Sequence, residues 1–598
     1  MENVFYARIE ALRVLMRENG WDMVILTGSD PHNSEYPAFR WKQVEWLTGF
    51  TGEAGDVVIT ADHAGLWTDT RYFIQANRQL EGTGVVLHKM RVPEQVPIPQ
   101  WIASLQMDEP VIAVDSLCQT VAAVGELRAA VPSAVIVPVP DLLSALWEDR
   151  PAIPSTPIIT LGEDLTGESR EARLRWLRKW LIRQGADAIL LTALDQIAWL
   201  LNVRGQDIDY NPFVISYLLV TMDEANWYVR KDAFEDPDSE TADSFRELQA
   251  DGVTLCDYSD IHFALSSLQD SGVDRICIDE SGLNYALWTA LENGPEVLSV
   301  ESPVPLRKAV KNSTEIEGMR EAHLEDGLVM EQFLYWVQQH AGSVNEWEAA
   351  CYLGSLRAKI PGYRGDSFET ISAYGPSAAL PHYSTPSEGS ALLEARGLYL
   401  CDSGGQYLFG TTDITRTVPM GPCTALERED YTLVMKCHID LAMAVFPKGT
   451  CGPHLDILAR EPMWRYKRNF GHGTGHGVGF FLGVHEGPHE FRQNFNSIPF
   501  EAGFVVTDEP GLYREGMHGI RHENVLLCRS LGDNEFGSWL GFEPLTLCHY
   551  DTSCLELSLL TEDERNWLNA YNEKVYRSLS PRLPEEVAAW LHEKTRPV

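Results

Sequence analysis

Residues 398–417 read LYLCDSGGQYLFGTTDITRT, and the fold of the C-terminal half can be worked out from this stretch. Its apolar start is typical of a buried β-strand, and Asp402 stands at the end of that strand. The Gly-Gly and Phe-Gly pairs signal turns, and a second extended stretch follows that carries Asp413. We expect a β-hairpin that brings both carboxylates to one place. Aspartates beside a glycine-rich turn also serve as turn caps, so this pair needs support from other segments.

A glycine-rich segment, GHGTGHGVG at 471–479, lies further along the chain. Glycine at every second position disfavours a helix, and with it the helical His-x3-His pair of a zinc site. In an extended strand, residues 472, 474 and 476 share one face, which places His472 and His476 side by side. One imidazole can then bind a metal, and the other can line the pocket beside it. The glycines allow substrate or neighbouring backbone to approach closely.

Two more segments each contain a candidate acid. Residues 505–509, VVTDE, predict a strand that Pro-Gly stops, with Glu509 at its end. Residues 519–527, GIRHENVLL, predict a single further strand, in which alternation puts Arg521 and Glu523 on one face and His522 on the other. A lone strand glutamate usually faces solvent, so neither acid is informative by itself.

Taken together, these segments supply four carboxylates and one imidazole. Four carboxylates that face one another repel unless cations sit between them. The set therefore predicts a site for two divalent metal ions, and with it a metallohydrolase. The predicted ligands are Asp402, Asp413, His476, Glu509 and Glu523.

Composition excludes several classes of protein. The 598 residues are enough for about three to four domains at roughly 150 residues each. A formal net charge of −38 argues against binding to nucleic acid or to anionic membranes. The N-terminal residues show no signal-peptide pattern, and the longest apolar runs are too short to span a bilayer. Eleven scattered cysteines without a CxxC pair fit a reducing cytoplasm.

The N-terminal half contains an internal repeat. A helical pattern, an apolar strand pattern, a polar loop and a second strand pattern follow one another from Arg8 to Thr60 and again from Ala172 to Val220. Proline-rich stretches near 150–157 and 302–305 mark boundaries. We therefore predict α/β domains at 1–150 and 151–305 and a third domain at 306–598. This last domain contains every candidate ligand and ends in a helical extension, where Thr561 and Glu564 have capping-box spacing.

At this point the residues resemble a known family, the pita-bread (creatinase/aminopeptidase) metallopeptidases. The ordered ligand set is similar to theirs, and further motifs resemble aminopeptidase P of the long, three-domain cytosolic type. In the C-terminal part these motifs are PHY at 381–383, GHGTGHGVG at 471–479, VHEGP at 484–488, TDEPG at 507–511 and IRHEN at 520–524. In the N-terminal half they are DPHNSEY at 30–36, LWTD at 66–69, RYF at 71–73, LDQIAWL at 194–200 and NVRG at 202–205.

The resemblance implies an α/β (α+β) architecture, with two creatinase-like domains before a pita-bread catalytic domain. It implies that two metal ions, often Mn²⁺, share a hydroxide that attacks the bond between an N-terminal residue and proline. Co²⁺, Fe²⁺ or Zn²⁺ also suits such ligands. By the same resemblance Glu509 both binds metal and shuttles the proton, and the chain forms a homodimer.

The resemblance also assigns roles around the metals. His382, His472 and His485 would act in catalysis and line the substrate pocket. Arg521 would order Glu523, and Tyr513 would contact substrate or a ligand. Three nearby imidazoles are interpreted as bystanders: His489, His518 and His522.

Two other functions stay open from the sequence. A prolidase, which cleaves only Xaa-Pro dipeptides, uses the same ligands, and a single sequence does not resolve the loops that exclude longer peptides. Pita-bread domains can also serve as non-catalytic peptide-binding modules after they lose ligands. All five ligands are present here, which favours catalysis.

Overall fold

The computed structural model describes residues 3–230 and 239–598. The chain divides into two compact units, one of Met1–Gly162 with Glu168–Val304 and the other of Glu163–Gly167 with Pro305–Val598. Among the described helices, none offers the length of apolar sequence that a bilayer crossing requires.

The first unit contains two six-stranded sheets with the same topology. In each sheet the first strand in the chain pairs antiparallel with the second and parallel with the fifth. The remaining neighbours match as well, so both sheets have the order 4-3-2-1-5-6. The predicted internal repeat is confirmed. Its central strands, MVIL at 23–26 and AILL at 188–191, are buried along their whole length.

The first sheet consists of β1 to β6, the second of β8 and β10 to β14, and β7 pairs with β9. In chain order the strands are β1 (Met23–Leu26), β2 (Asp56–Thr60), β3 (Ala64–Thr68), β4 (Val86–Lys89), β5 (Val111–Asp115), β6 (Val135–Val139), β7 (Ile159–Thr160), β8 (Ala188–Leu191), β9 (Val203–Arg204), β10 (Ser216–Thr221), β11 (Ala225–Val229), β12 (Val253–Asp257), β13 (Arg275–Ile278) and β14 (Glu296–Ser299).

Helices connect these strands and continue into the second unit. They are α1 (Val4–Asn19), α2 (Gln43–Thr48), α3 (Phe73–Gln79), α4 (Ile98–Ser104), α5 (Val121–Ala130), α6 (Glu163–Thr166), α7 (Arg170–Gln184), α8 (Leu194–Leu201), α9 (Ser239–Ala250), α10 (Ile261–Ser266), α11 (Tyr285–Leu291), α12 (Val304–Ala309), α13 (Ser313–Gln339), α14 (Glu346–Arg357), α15 (Ala425–Ala442), α16 (Gly452–Trp464), α17 (Glu562–Leu579) and α18 (Glu585–Lys594). The capping box predicted at Thr561 and Glu564 is confirmed at the start of α17.

The second unit contains small antiparallel sheets beside one six-stranded sheet. Their orders are β15-β18-β19, β16-β17-β20, β25-β26 and β21-β28-β27-β24-β22-β23. The strands are β15 (Tyr363–Asp366), β16 (Ile371–Tyr374), β17 (Leu398–Ser403), β18 (Gly405–Tyr407), β19 (Gly410–Thr411), β20 (Ile414–Pro419), β21 (Val445–Pro447), β22 (Gly475–Gly477), β23 (Glu486–Phe491), β24 (Val505–Asp508), β25 (Gly511–Arg514), β26 (His518–Arg521), β27 (Asn524–Asn534) and β28 (Gly537–Pro544).

The prediction of one continuous strand over 519–527 is wrong. The structure breaks it into β26, which pairs with β25, and β27, which pairs with β24 and β28. Between them, the backbone amide of Glu523 donates to the carbonyl of Thr415 at 3.1 Å, outside either strand pair. The alternation pattern of residues 519–527 continues without interruption across the break, because a local pattern carries no information on this tertiary hydrogen bond.

The buried side chain of Arg416 joins several segments of the second unit through hydrogen bonds. It is buried on β20, and its guanidinium donates to the carbonyls of Cys548 at 2.7 Å and His549 at 3.1 Å and to Asn524 Oδ1 at 2.9 Å. A buried acceptor left without a partner costs about 1–3 kcal/mol. Arg416 therefore holds β20, which follows Asp413, against the start of β27, which follows Glu523.

The packing of α15 against α17 is predicted to depend on pH. Burial and the neighbouring charge of Glu564 raise the pKa of Asp440 to about 7, with Lys436 opposing the shift. An unfolded aspartate has a pKa of about 3.9. Since the folded pKa is the higher one, this carboxyl favours the fold at low pH, and that contribution is lost as the pH rises through about 7.

When the pH is raised from 5 to 8, the Tm of Asp440→Asn should therefore fall less than the Tm of the natural chain. Differential scanning fluorimetry at both values measures the two shifts in Tm. Asp533→Asn, at an exposed hairpin position, is the matched control and should follow the natural chain. Equal shifts in Asp440→Asn and the natural chain would contradict the assignment.

Candidate metal centre

Asp402 and Asp413 come together through a strand pair. β17 and β20 are antiparallel, with Asp402 opposite Thr415, and Asp413 lies just before β20. The predicted pairing of the two extended stretches is confirmed, but their connection contains β18 and β19, which belong to another sheet. Gly404 begins that connection, and a Cβ there would lie 2.0 Å from the carbonyl oxygen of Thr412. Only glycine permits the tight return that aligns the two acids.

His476 lies on the short strand β22. Its Nε2 is 3.4 Å from Asp413 Oδ2 and 3.5 Å from Glu509 Oε1. Its Nδ1 lies 2.9 Å from the carbonyl oxygen of Gly477, so Nδ1 is the donor to that carbonyl, and Nε2 faces the acids. A Cβ on Gly475 would lie 1.9 Å from the carbonyl oxygen of Thr507, which confirms that these glycines allow close approach of backbone.

The prediction that one strand carries both His472 and His476 is wrong. β22 begins at Gly475, and residues 471–474 bend away before it. The ring beside that of His476 is His485, edge-on at 4.2 Å between centroids. His472 Nε2 lies instead 2.9 Å from the hydroxyl of Tyr513. Bends at residues 471, 472 and 474 keep His472 out of the strand, and a glycine-rich sequence does not specify where such bends occur.

Glu509 and Glu523 complete the cluster from two loops. The amide of Glu509, one residue past β24, donates to the carbonyl of Thr474 at 2.7 Å. Thr415 donates its hydroxyl to Glu523 Oε2 at 2.7 Å. One donor atom from each of Asp413, His476 and Glu523 lies within 4.8 Å of the others. Four separate segments thus converge on one point.

The negative charges of the clustered acids repel one another in the metal-free protein. Burial raises the pKa of Glu523 well above its usual range, and the charges of Asp413, Asp402 and Glu509 add to the shift. Burial also raises the pKa of Glu509, although His476 and Arg521 oppose it. The pKa of Asp402 rises for the same reason, against the guanidinium of Arg521. These carboxylates need positive charge that the side chains do not supply in full.

The donor set fits divalent cations. Asp402 Oδ1 is buried without a hydrogen-bond partner among the described residues, while Oδ2 accepts from Arg521. A bound cation would satisfy that orphaned oxygen and relieve the repulsion between the acids. Carboxylate oxygens with a single imidazole suit hard to borderline divalent ions.

Arg521 links the acids to the surrounding pocket. Its guanidinium donates to Asp402, to the hydroxyl of Tyr513 at 2.7 Å and to the carbonyl of Pro381 at 3.4 Å. The last contact brings the segment of His382 to the site. The predicted pocket residues His382, His472 and Tyr513 therefore lie on segments that meet around Arg521.

The three imidazoles interpreted as bystanders make contacts with residues other than the predicted ligands. His489 Nε2 lies 2.8 Å from the carbonyl of Val505, and its ring stacks on Phe504. His518 Nε2 lies 2.8 Å from Asp430 Oδ2. His522 is buried edge-on to the ring of Tyr431. None of these contacts involves a predicted ligand.

Sequence reasoning missed two threonines that hold the acids. Thr415 donates to Glu523 and accepts from Arg521 Nε at 3.2 Å, so it spaces the guanidinium from the glutamate. Thr507 accepts from the amide of His476 at 3.0 Å, and its hydroxyl points to Glu509 Oε1 at 3.4 Å. Their spacing was a usable signal, because Thr415 and Thr507 each stand two residues from an acid, Asp413 or Glu509, that lies just outside the strand.

Family profiles match nearly the whole chain. The metallopeptidase family M24 matches residues 317–530, and the C-terminal region of that peptidase family matches 538–598. The creatinase/prolidase N-terminal domain matches twice, at 8–146 and at 149–315.

Full-length relatives agree with these profiles. A probable Xaa-Pro aminopeptidase P from Verticillium alfalfae is 37% identical, and aminopeptidase P1 from Arabidopsis thaliana is 37% identical; the match covers 99% of this chain and 99% of each relative. Among solved structures, the X-prolyl aminopeptidase from Caenorhabditis elegans has a TM-score of 0.90 at 34% identity, over 97% of this chain and 95% of that one. That protein is described as a cytosolic enzyme with a di-nuclear active site.

Because the acids repel one another, Glu523→Gln should have opposite effects with and without metal. The metal-free variant should melt a few degrees higher than the natural chain, since one buried charge is removed. The variant should also bind less Mn²⁺ at saturation. Thermal melts of metal-stripped and Mn²⁺-loaded protein measure both effects. Glu535→Gln, exposed at a hairpin tip, is the control, and a lower melting temperature for metal-free Glu523→Gln would contradict the repulsion argument.

Proposed function

We infer that this chain, which belongs to the metallopeptidase family M24, removes the N-terminal residue from peptides that carry proline in second position. The supporting observation is a cluster in which Asp413, Glu523 and His476 bring donor atoms within 4.8 Å and the charges of Asp402 and Glu509 act on Glu523. This cluster lies in a chain that matches Xaa-Pro aminopeptidases over 99% of its length. The matches extend over both N-terminal domains as well as the catalytic one, which favours this activity over that of a prolidase. The intact donor set favours catalysis over a passive peptide-binding role.

Five residues would hold two divalent cations in this proposal: Asp402, Asp413, His476, Glu509 and Glu523. When bound, the cations supply Lewis-acid polarisation of the scissile carbonyl and an activated water as nucleophile. We propose Mn²⁺ as the natural metal because the donors are mostly oxygen with one imidazole, a set that Co²⁺, Fe²⁺ or Zn²⁺ also fits.

Glu509 is proposed as the group that moves the proton. Its carboxylate lies 3.5 Å from His476 Nε2, next to the place where the cations and their water would bind. It would accept the proton of the attacking water and pass it to the prolyl nitrogen as the peptide bond breaks. The imide nitrogen of proline carries no hydrogen, so this delivered proton is the one that makes it a leaving amine.

The remaining pocket residues would bind and orient the peptide. We propose that His485, edge-on to His476, and His382, which follows Pro381, donate to the scissile carbonyl. Tyr513 connects His472 to Arg521 through its hydroxyl. Arg521 in turn holds Asp402 in place, so the substrate-facing side chains and the cation-facing acids share one hydrogen-bonded frame.

The wider setting of the enzyme is part of the same proposal. We propose three domains at 1–150, 151–305 and 306–598, a cytoplasmic location and a homodimer. The eleven cysteines are all free thiols, which suits a reducing compartment. The Caenorhabditis elegans structure, described as that of a cytosolic enzyme, agrees with the location.

The first test compares peptides on metal-stripped protein before and after addition of Mn²⁺. Release of the first residue from an Xaa-Pro-Pro tripeptide should depend on Mn²⁺ and exceed release from an Xaa-Pro dipeptide. An Xaa-Ala-Pro tripeptide controls for proline selectivity. Cleavage of the dipeptide alone would establish a prolidase, and no cleavage with any divalent metal would establish a binding role.

Glu509→Gln should lower kcat by about 10²–10⁴-fold, the usual contribution of general acid–base catalysis. The amide keeps the size and one oxygen of the glutamate, so the fold should be retained in circular dichroism. Glu515→Gln, exposed in the β25–β26 turn, is the matched control and should keep full activity. Metal content is measured in parallel. More than a few per cent of residual activity at full metal content would overturn the role of Glu509.

A further inference from the structure

A second convergence of imidazoles lies far from the acids in sequence, on the first sheet of the first unit. His63 stands just before β3 and His88 stands on the neighbouring strand β4. Their Nε2 atoms are 3.1 Å apart, and both side chains are half-buried. The two nitrogens therefore lie next to each other at a partly exposed position.

Aromatic rings hold both imidazoles in position. His88 lies parallel to Trp67, with 3.8 Å between centroids and 3° between planes. His63 packs on Trp101 at 4.9 Å. Trp67 is itself fixed, because its indole N–H donates to the carbonyl of Val96 at 2.9 Å. Rotamers locked by packing are what a preorganised ligand pair requires.

Gly65, which lies next to the rings, leaves the space that they occupy. A Cβ on Gly65 would lie 2.7 Å from His63 Nε2, 2.9 Å from His88 Cδ2 and 2.6 Å from the Trp67 ring. Glycine weakens the interior of a strand and marks places where other groups approach closely. The turn before β3 is pinned as well, since Thr60 Oγ1 accepts from the amide of His63 at 3.0 Å.

The second copy of the repeat shows that the fold does not need these imidazoles. In the first sheet the β3–β4 ladder begins with Gly65 opposite Val86 and reaches Trp67 opposite His88. In the second sheet the β11–β12 ladder begins with Ala225 opposite Val253 and reaches Trp227 opposite Leu255. The tryptophan is common to both copies, whereas glycine and histidine are replaced by alanine and leucine. Sheet topology alone therefore accounts for neither Gly65 nor His88.

We propose that His63 and His88 form a surface site for a divalent transition cation that prefers imidazole, such as Zn²⁺ or Cu²⁺. Two nitrogens bound about 2.0–2.1 Å from one ion, at square to tetrahedral angles, lie roughly 2.9–3.4 Å apart, and the observed spacing falls within that range. The remaining coordination positions face solvent and take water or an added ligand. An imidazole site of this kind differs from the oxygen-rich centre in the metals it selects.

The competing explanation is a hydrogen bond in which one neutral imidazole donates to the other. Binding of Cu²⁺ distinguishes the two. Cu²⁺ is the probe because it has the highest affinity for nitrogen ligands in the divalent series and is paramagnetic. Bound beside the Trp67–His88 stack, it should quench tryptophan fluorescence and show two coupled nitrogens in its electron paramagnetic resonance spectrum.

His63→Phe and His88→Phe keep the stacked rings and remove the nitrogens, so the sheet should still fold. Each should weaken this class of Cu²⁺ binding at least about ten-fold and abolish its quenching, with peptidase activity unchanged. His592→Phe, exposed on α18, is the matched control and should bind Cu²⁺ as the natural chain does. Because Cu²⁺ binds oxygen and nitrogen ligands more tightly than Mn²⁺, the Mn²⁺ content of Mn²⁺-loaded enzyme is measured throughout the titration, and only Cu²⁺ bound without loss of Mn²⁺ is assigned to His63 and His88.

Two results would overturn the proposal. One is Cu²⁺ binding that is the same in the natural chain and both phenylalanine variants, which would place the ion elsewhere. The other is a natural chain without nitrogen-coordinated Cu²⁺, which would leave His63 and His88 as a hydrogen-bonded pair. Neither result bears on the peptidase activity, whose test uses other residues.

Discussion

Repulsion among four buried carboxylates is the constraint on which the second unit depends. Burial, together with the charges of Asp413, Asp402 and Glu509, raises the pKa of Glu523 well above its usual range. Arg521 supplies one positive charge, directed at Asp402. Bound cations have to balance the negative charge that Arg521 leaves uncompensated. The arrangement of the acids therefore suits the metal-bound protein better than the metal-free chain.

The scaffold holds the acids at points where strands end. Asp413 precedes β20, Glu509 follows β24 and Glu523 precedes β27, so each side chain is aimed by a strand while its own backbone is free of the ladder. Buried Arg416 ties β20 to β27, and Thr415 bridges Arg521 and Glu523. The hydrogen bonds that join the strands therefore also fix the distances between the acids at the strand ends. A rigid sheet in this way positions side chains that lie in loops.

The first unit illustrates how a repeated fold acquires differences. Its two sheets have the same strand order and the same parallel and antiparallel neighbours. Their ladders nevertheless carry different side chains at matching positions, with Trp67 opposite His88 in one copy and Trp227 opposite Leu255 in the other. Backbone pairing fixes the topology, while a half-buried position such as that of His88 and Leu255 accepts different side chains in the two copies. New chemistry can therefore arise in one copy and not in the other.

The sequence by itself determined the elements and the chemistry they carry. Periodicity and turn signals located the duplicated sheets, the strand before Asp402 and the cap at Thr561, because those patterns depend on neighbours close in the chain. The residue types of the five predicted ligands followed from the same patterns. Only the tertiary structure decided that β26 and β27 are separate strands, that His485 rather than His472 lies beside His476, and that Thr415 separates Arg521 from Glu523. Those outcomes rest on hydrogen bonds and charges between segments far apart in the chain, which no local pattern encodes.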